Sequence, residues 1–401
     1  MPATMRAQTV NGRRDRTRTP LTMPAPRSAA AESSADRPKI RGTWQDPGMP
    51  PAGSPVGASR QGSVGTGQLR RLTSLRALAA LAVFAYHLDL RGVASFWRGA
   101  AVLGYTGVGF FFILSGFVLA WASRPGLPAI AFYRRRLARV WPSHAVTWLA
   151  ALAVPVVLQA RDWSAAVPNL LLLQAWWHDV DVAYGMNGVS WSLACEAFFY
   201  ATFPLAVPVL RRASSRQRWI VCSVALVVQA LAGAAIGGYA FHSPVLRYPE
   251  FLLGLVAGLS VREGWRPRIS GALAGAVLAT GLAIGHLVPF PLPGSVLAVP
   301  FLVVVLWAAT LDLGNRHGLL SRRPLVLAGE ASFAFYLVHE LVIVNLRGVT
   351  GSALGTSFVI FAVACLAAAA LHVIVERPLN RLLRGTDAGP TAGLDVGIAR
   401  R

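Results

Sequence analysis

RALAALAVFAYH, residues 76–87, is the stretch on which the architecture of this chain turns. It is apolar throughout except at its two ends, where Arg76 and His87 stand eleven residues apart. In a helix rising ~1.5 Å per residue that separation is about 16 Å. It is also about three full turns, so the two side chains fall on nearly the same face. An ionisable group inside an apolar membrane segment is costly and marks a functional site by default. Two on one face, at different depths, outline a path from one side of a bilayer toward the other.

The composition around this segment agrees with a membrane setting. Of 401 residues, 54% are hydrophobic and 14% charged, where a soluble domain carries about 25% charged residues. Repeated apolar runs predict a polytopic all-α membrane protein. The net charge of +21 raises a nucleic-acid partner, but the arginines lie in the amino-terminal tail and in alternate loops, as membrane orientation alone requires. No nucleic-acid partner is expected. Cys195, Cys222 and Cys365 all lie in apolar segments, without disulfide or metal-ligand spacing, and read as small buried hydrophobes.

Residues 1–70 are rich in Pro, Ser, Gly, Ala and Arg, and read as a disordered basic tail without a secretory signal. Residues 71–382 form the transmembrane domain, and 383–401 a second short disordered tail. Ten helices are predicted near 74–90, 102–123, 140–159, 190–210, 218–239, 247–262, 269–287, 295–311, 331–347 and 355–376. The run Trp163–Trp177 is apolar but short and carries Pro168, which fits a re-entrant or interfacial piece. With residue 71 placed inside, fifteen loop arginines fall on the inner side and five on the outer side (Arg91, Arg98, Arg161, Arg247 and Arg347). That alternation predicts ten spans with both termini cytoplasmic, in the plasma membrane.

Several residues carry chemistry. A histidine titrates near neutrality, so His87 is suited to take and return a proton; the plainer alternative makes Arg76 a snorkelling anchor and His87 an interfacial polar group. In NGVSWSLACEAFFY, Ser192, Glu196 and Tyr200 follow i, i+4, i+8 spacing and form one polar stripe. Glu196 lies about two turns below the outer surface, where a carboxylate is paired, protonated or facing a wet cavity. Arg247 and Glu250 are spaced to pair with each other at the outer boundary. Ser332, Tyr336 and His339 share a face near mid-membrane, while Glu340, next in sequence, points elsewhere. Gly107, Gly109, Ser115 and Gly116 permit close helix packing. The stretch FYRRRLARVWP reads as an inner loop in which Arg134, Arg135, Arg136 and Arg139 concentrate charge suited to phosphates. Glu376-Arg377-Pro378 reads as a structural stop, since proline blocks continuation.

Taken in order, these elements resemble the acyltransferase 3 family of integral membrane acyltransferases. The matching elements are Arg-x10-His (Arg76, His87), Gly-x-x-x-Phe-Phe-x-x-Ser-Gly-Phe ending at Phe117, Arg-x-x-Arg (Arg136, Arg139), Ser-x-x-x-Glu-x-x-Phe-Tyr (Ser192 to Tyr200), Tyr-x-x-His (Tyr336, His339) and Glu-Arg-Pro (Glu376 to Pro378). The resemblance implies transfer of an acyl group, often acetyl, from cytoplasmic acyl-CoA to a hydroxyl of a carbohydrate or glycosylated acceptor. It implies His87 as the catalytic histidine and a donor-binding or structural role for Arg136 and Arg139. No permanently bound cofactor and no metal are expected, acyl-CoA being a co-substrate.

On geometry, Glu196 is the expected partner of His87, with Arg76, Arg135, Ser192, Tyr200, Tyr336 and His339 completing the substrate and donor site. His87 acts either as base or as the group that itself carries the acyl. One departure stands out: a position often acidic in the family is Gly109 here. The competing reading is a proton-coupled transporter or flippase relaying through His87, Glu196 and His339.

Overall fold

In the computed structural model, residues 69–94, 98–123, 126, 128–153 and 163–384 are described, all within one compact unit spanning Ser63–Arg401. The expected tails fall almost wholly outside these residues, as do Arg124 and Arg161. Every regular element among the described residues is helical. Among the described residues ten long helices overlap the ten predicted stretches: α1 Arg70–Leu90, α2 Gly107–Ala122, α3 Ala129–Leu152, α4 Trp191–Arg212, α5 Ser215–Ile236, α6 Pro244–Arg262, α7 Gly271–Leu287, α8 Leu292–Leu313, α9 Arg323–Leu346 and α10 Ala353–Ala370. The third begins eleven residues before the expected 140–159, of which 154–159 lie outside the described residues. A π-helical turn, Leu371–Glu376, joins α10 to α11, Arg377–Arg384.

Seven helical stretches are long and apolar enough to cross a bilayer, and α7 is apolar but shorter. Helices α1 and α3 are long enough but carry too many polar residues to meet the same measure. Many large apolar side chains point outward, among them Leu205, Leu231, Phe358 and Leu366, each at least 66% exposed. Such surfaces are stable against lipid rather than water. The protein is a multi-pass membrane protein built as a helical bundle.

Two contacts set the frame. At the crossing of α2 and α6, a Cβ on Gly254 would lie 1.8 Å from the Ile113 carbonyl oxygen, so these backbones touch. At the crossing of α1 and α9, a Cβ on Gly329 would lie 1.9 Å from the Thr73 carbonyl oxygen. Because α1 and α9 meet at Thr73–Gly329 and again at His87–His339, they run parallel. The polar faces of these two helices are thereby fixed in register.

Three local expectations are corrected. The arginine-rich stretch is not a loop but the first half of α3, which runs on through Pro142. Pro378 does not stop the chain's helix: it stands in the first turn of α11, where no intrahelical N–H is needed. The break in Trp163–Trp177 is not at Pro168, which sits inside the short helix Ala166–Leu170, but at Leu172, held at φ +58°.

Candidate active site

A cavity of about 550 Å³ opens between α1, α2, α3, α4, α9 and the π turn. Arg76, Arg136, Arg139, Glu196, Tyr200, Ser192 and Tyr336 all line it, together with Ser115, Glu330, His372, Glu376, Arg377 and Arg381. The stripe on α4 is therefore real: Ser192, Glu196 and Tyr200 face one space. Arg136 and Arg139 are one helical turn apart on α3 and both reach the cavity, whereas Arg135, on another face of the same helix, does not line it.

The cavity's charges fall into two groups. Arg139 forms an ion pair with the buried Glu376. Glu376 also accepts from His372 Nδ1 at 2.7 Å, and Arg377 Nε donates to His372 Nε2 at 3.1 Å. Arg76 and Arg136, by contrast, make no hydrogen bond or ion pair among the described residues, and the Arg136 Nε is buried without a partner. The Arg136 guanidinium lies over the Phe132 and Tyr200 rings, 5.8 and 6.0 Å from their centroids. Glu196 accepts from Tyr200 at 3.2 Å and feels the charges of Arg76, Arg139 and Arg136. Five guanidinium groups against three carboxylates leave the cavity net positive, with donors free to meet an anion.

Tyr336 and Ser192 occupy one end of this space. Their hydroxyls are 2.9 Å apart, and Tyr336 also donates to the Val189 carbonyl at 3.0 Å. His339 follows Tyr336 by one turn, with ring centroids 5.7 Å apart. Its Nε2 lies 3.2 Å from Nδ1 of His87, which is itself 2.9 Å from the Val83 carbonyl oxygen. His87 is not among the cavity-lining residues; it stands beyond Tyr336 and Ser192, consistent with the 11-residue spacing from Arg76 on α1. The structure thus pairs His87 with His339, and gives Glu196 the Tyr200 hydroxyl as its hydrogen-bond partner.

Glu340, expected to point away, also reaches the histidine pair: one ring nitrogen each of His87 and His339 and one Glu340 oxygen lie within 4.8 Å of one another. Adjacent helical residues diverge by about 100°, but a group lying between those two directions meets both. Among the described residues this is a grouping with metal-capable spacing. Its geometry favours proton handling instead, because Arg91 Nε donates to Glu340 at 2.8 Å and the Val83 carbonyl faces His87 Nδ1.

Arg247 and Glu250 do pair, at 2.9 Å, in the first two turns of α6, and both are buried within the bundle, 2% and 0% exposed. The Arg247 guanidinium lies over the rings of Phe112, Phe241 and Trp191. A Cβ on Gly109 would come within 2.9 Å of Glu250 Oε1. The place next to the missing acidic side chain is thus held by a carboxylate from α6. Glu340, Arg91, His372, Glu376 and Glu330 were not singled out by sequence as site residues. The i, i+4 spacing of His372 and Glu376 was the available signal.

The family model described as an acyltransferase domain matches residues 69–377. The chain belongs to the acyltransferase 3 family. It is 36% identical over 363 residues to acyltransferase MdmB of Streptomyces mycarofaciens, covering 79% of this chain and 92% of that one. Exopolysaccharide production protein ExoZ of Rhizobium meliloti is 29% identical over 320 residues, covering 73% of this chain and 94% of ExoZ. O-acetyltransferase OatA of Staphylococcus aureus is 24% identical over 319 residues; that match takes in 68% of this chain and half of OatA. No solved structure matches the chain. This acyltransferase 3 protein is therefore an acyl-transferring enzyme.

Proposed function

We propose that the protein transfers an acyl group, acetyl in the simplest case, from acyl-CoA in the cytoplasm to a hydroxyl of a carbohydrate or glycosylated metabolite at the outer side of the plasma membrane. The observation that carries this reading is the pair of unpaired guanidinium groups, Arg76 and Arg136, in a cavity whose far end lies one helical turn from His339 and its partner His87. Half-buried guanidinium groups without an acidic partner call for an anion, and the phosphates of a coenzyme thioester supply one. The acyl end then points toward Tyr336 and Ser192.

In the transfer step His87 takes the proton of the acceptor hydroxyl while its oxygen attacks the thioester carbonyl carbon. A C–O bond forms, the C–S bond breaks, and the departing CoA thiolate receives the proton back from the imidazolium. Ester and free CoA-SH result, with no other reactant. Tyr336 and Ser192, whose hydroxyls donate to the Val189 carbonyl, stand at the end of the cavity where a hydroxyl turned from that carbonyl donates to the developing oxyanion.

The test combines binding and output. Acetyl-CoA is expected to raise the melting temperature of the purified protein, and Arg76→Ala and Arg136→Ala to abolish that shift. Cells lacking the gene are expected to lose one acyl mass increment from an extracted glycan or metabolite, which names acceptor and acyl group together. An unchanged melting temperature with acetyl-CoA, or no lost increment, would refute the reading.

A further inference from the structure

We propose that Glu340, together with His339, is the positioning pair of His87: it fixes the tautomer that leaves His87 Nε2 free as the base, and it supplies the negative charge that stabilises the imidazolium formed during transfer. The proposal rests on the reading of His87 as the base.

The tautomers follow from the carbonyls. His87 Nδ1 faces the Val83 oxygen at 2.9 Å, and His339 Nδ1 faces the Phe335 oxygen at 3.3 Å. A carbonyl oxygen only accepts, so each Nδ1 carries its hydrogen. His339 Nε2 is then a lone pair, and it takes a share of the His87 Nδ1–H at 3.2 Å. Both constraints act on the same nitrogen and in the same sense. What remains on His87 is Nε2, unprotonated and available to a hydroxyl.

The charge argument points to Glu340. When His87 becomes a cation it faces the Arg91 guanidinium one turn along α1, which repels it, and the neutral ring of His339, which does not compensate. Glu340 is the acid that α9 brings to this spot, 4% exposed, with an oxygen within 4.8 Å of the two rings. Arg91 Nε binds Oε1, whereas Oε2 is buried and has no hydrogen-bond partner among the described residues. A carboxylate with one oxygen left open, in reach of a ring that gains charge in the reaction, does the work of the acid in a Ser-His-Asp triad. Arg91, in turn, holds the carboxylate in place.

The test uses the full chain in its membrane, reading acylated product by mass and donor binding by the acetyl-CoA thermal shift. Glu340→Gln preserves shape and removes charge; it is expected to cut product about 100-fold while the acetyl-CoA titration is unchanged. Glu340→Asp recovers part of the output. His339→Gln, whose amide oxygen can accept from His87 Nδ1, is expected to retain more output than His339→Ala. Wild-type output from Glu340→Gln overturns the proposal, as does loss of donor binding in parallel with output, which marks a merely structural pair. A stoichiometric metal ion in the purified protein, lost in Glu340→Gln, also overturns it. If His87→Ala keeps its output, the underlying reading of His87 fails; if only the Glu340 and His339 variants are silent, this inference alone does.

Discussion

The two halves of the site handle polar groups in opposite ways. In the arginine cavity, Arg76 and Arg136 are left without partners in an open volume of about 550 Å³. Around His87 most polar groups are tied: His87 to Val83 and His339, and Glu340 to Arg91, with Glu340 Oε2 left open. An unpaired cation is tolerable only where a ligand or water can reach it, so the cavity is built to be filled. Hydrogen-bonded groups resist reorientation, so the histidine end holds still. On the proposed function, binding and chemistry then fall to different parts of one helix, α1, about three turns apart.

Variants that strike each half separately should break or sharpen this contrast. The largest effect is expected at the fixed end: His87→Ala lowers acyl transfer by roughly 10³-fold or more, read as acylated product, with membrane expression and the acetyl-CoA thermal shift retained. Next comes the paired part of the cavity. Arg139→Ala leaves the buried Glu376 with His372 as its remaining partner, and losing a charged hydrogen bond costs about 1.5–3 kcal/mol. A lowered melting temperature in detergent, without donor, is the expected result. The unpaired arginines should behave otherwise. Arg76→Ala or Arg136→Ala leaves the melting temperature of the empty protein near wild type and weakens acetyl-CoA binding about 10- to 100-fold, as loss of charged hydrogen bonds worth about 1.5–3 kcal/mol implies. If Arg76→Ala instead unfolds the protein, the contrast between open and paired arginines is wrong.

The smallest effect lies outside the spans, at His242. Its Nε2 lies 3.0 Å from the Trp177 carbonyl oxygen, and burial lowers its pKa below the ordinary histidine value. The unfolded chain then binds more protons than the folded one as the medium is acidified, so stability rises with pH in that range. The melting temperature should fall as pH drops below about 6.5, and His242→Gln should flatten that slope. A slope unchanged in the variant would assign the acid sensitivity to other groups.

Much of the architecture was legible in the apolar pattern. Each predicted helix falls on an observed one, because a stretch surrounded by lipid must satisfy its own backbone and so declares itself by length and hydropathy. The stripe of Ser192, Glu196 and Tyr200 was legible for the same reason: its spacing is a property of one helix. What was not legible is which helices face each other. Glu196 looked like the partner of His87 by estimated depth, yet the α1–α9 contact puts His339 and Glu340 there instead. Arginines on α3 looked like a loop because four charges in six residues interrupt the apolar run, although the helix runs through them without a break. Pro378 misled in the opposite way, since a proline signals a stop only when the helix before it is regular.

The contact of Gly329 with Thr73 has a mechanical meaning. Two helices whose backbones touch have no side-chain layer between them to shear, so α1 and α9 behave as a single rigid wall carrying Arg76, His87, Tyr336, His339 and Glu340. Across the cavity, α3 meets the wide turn before α11 through side chains such as Arg139 and Glu376. The α1–α9 pair is thus the stiffer wall of the cavity, and it is the wall that holds the histidines.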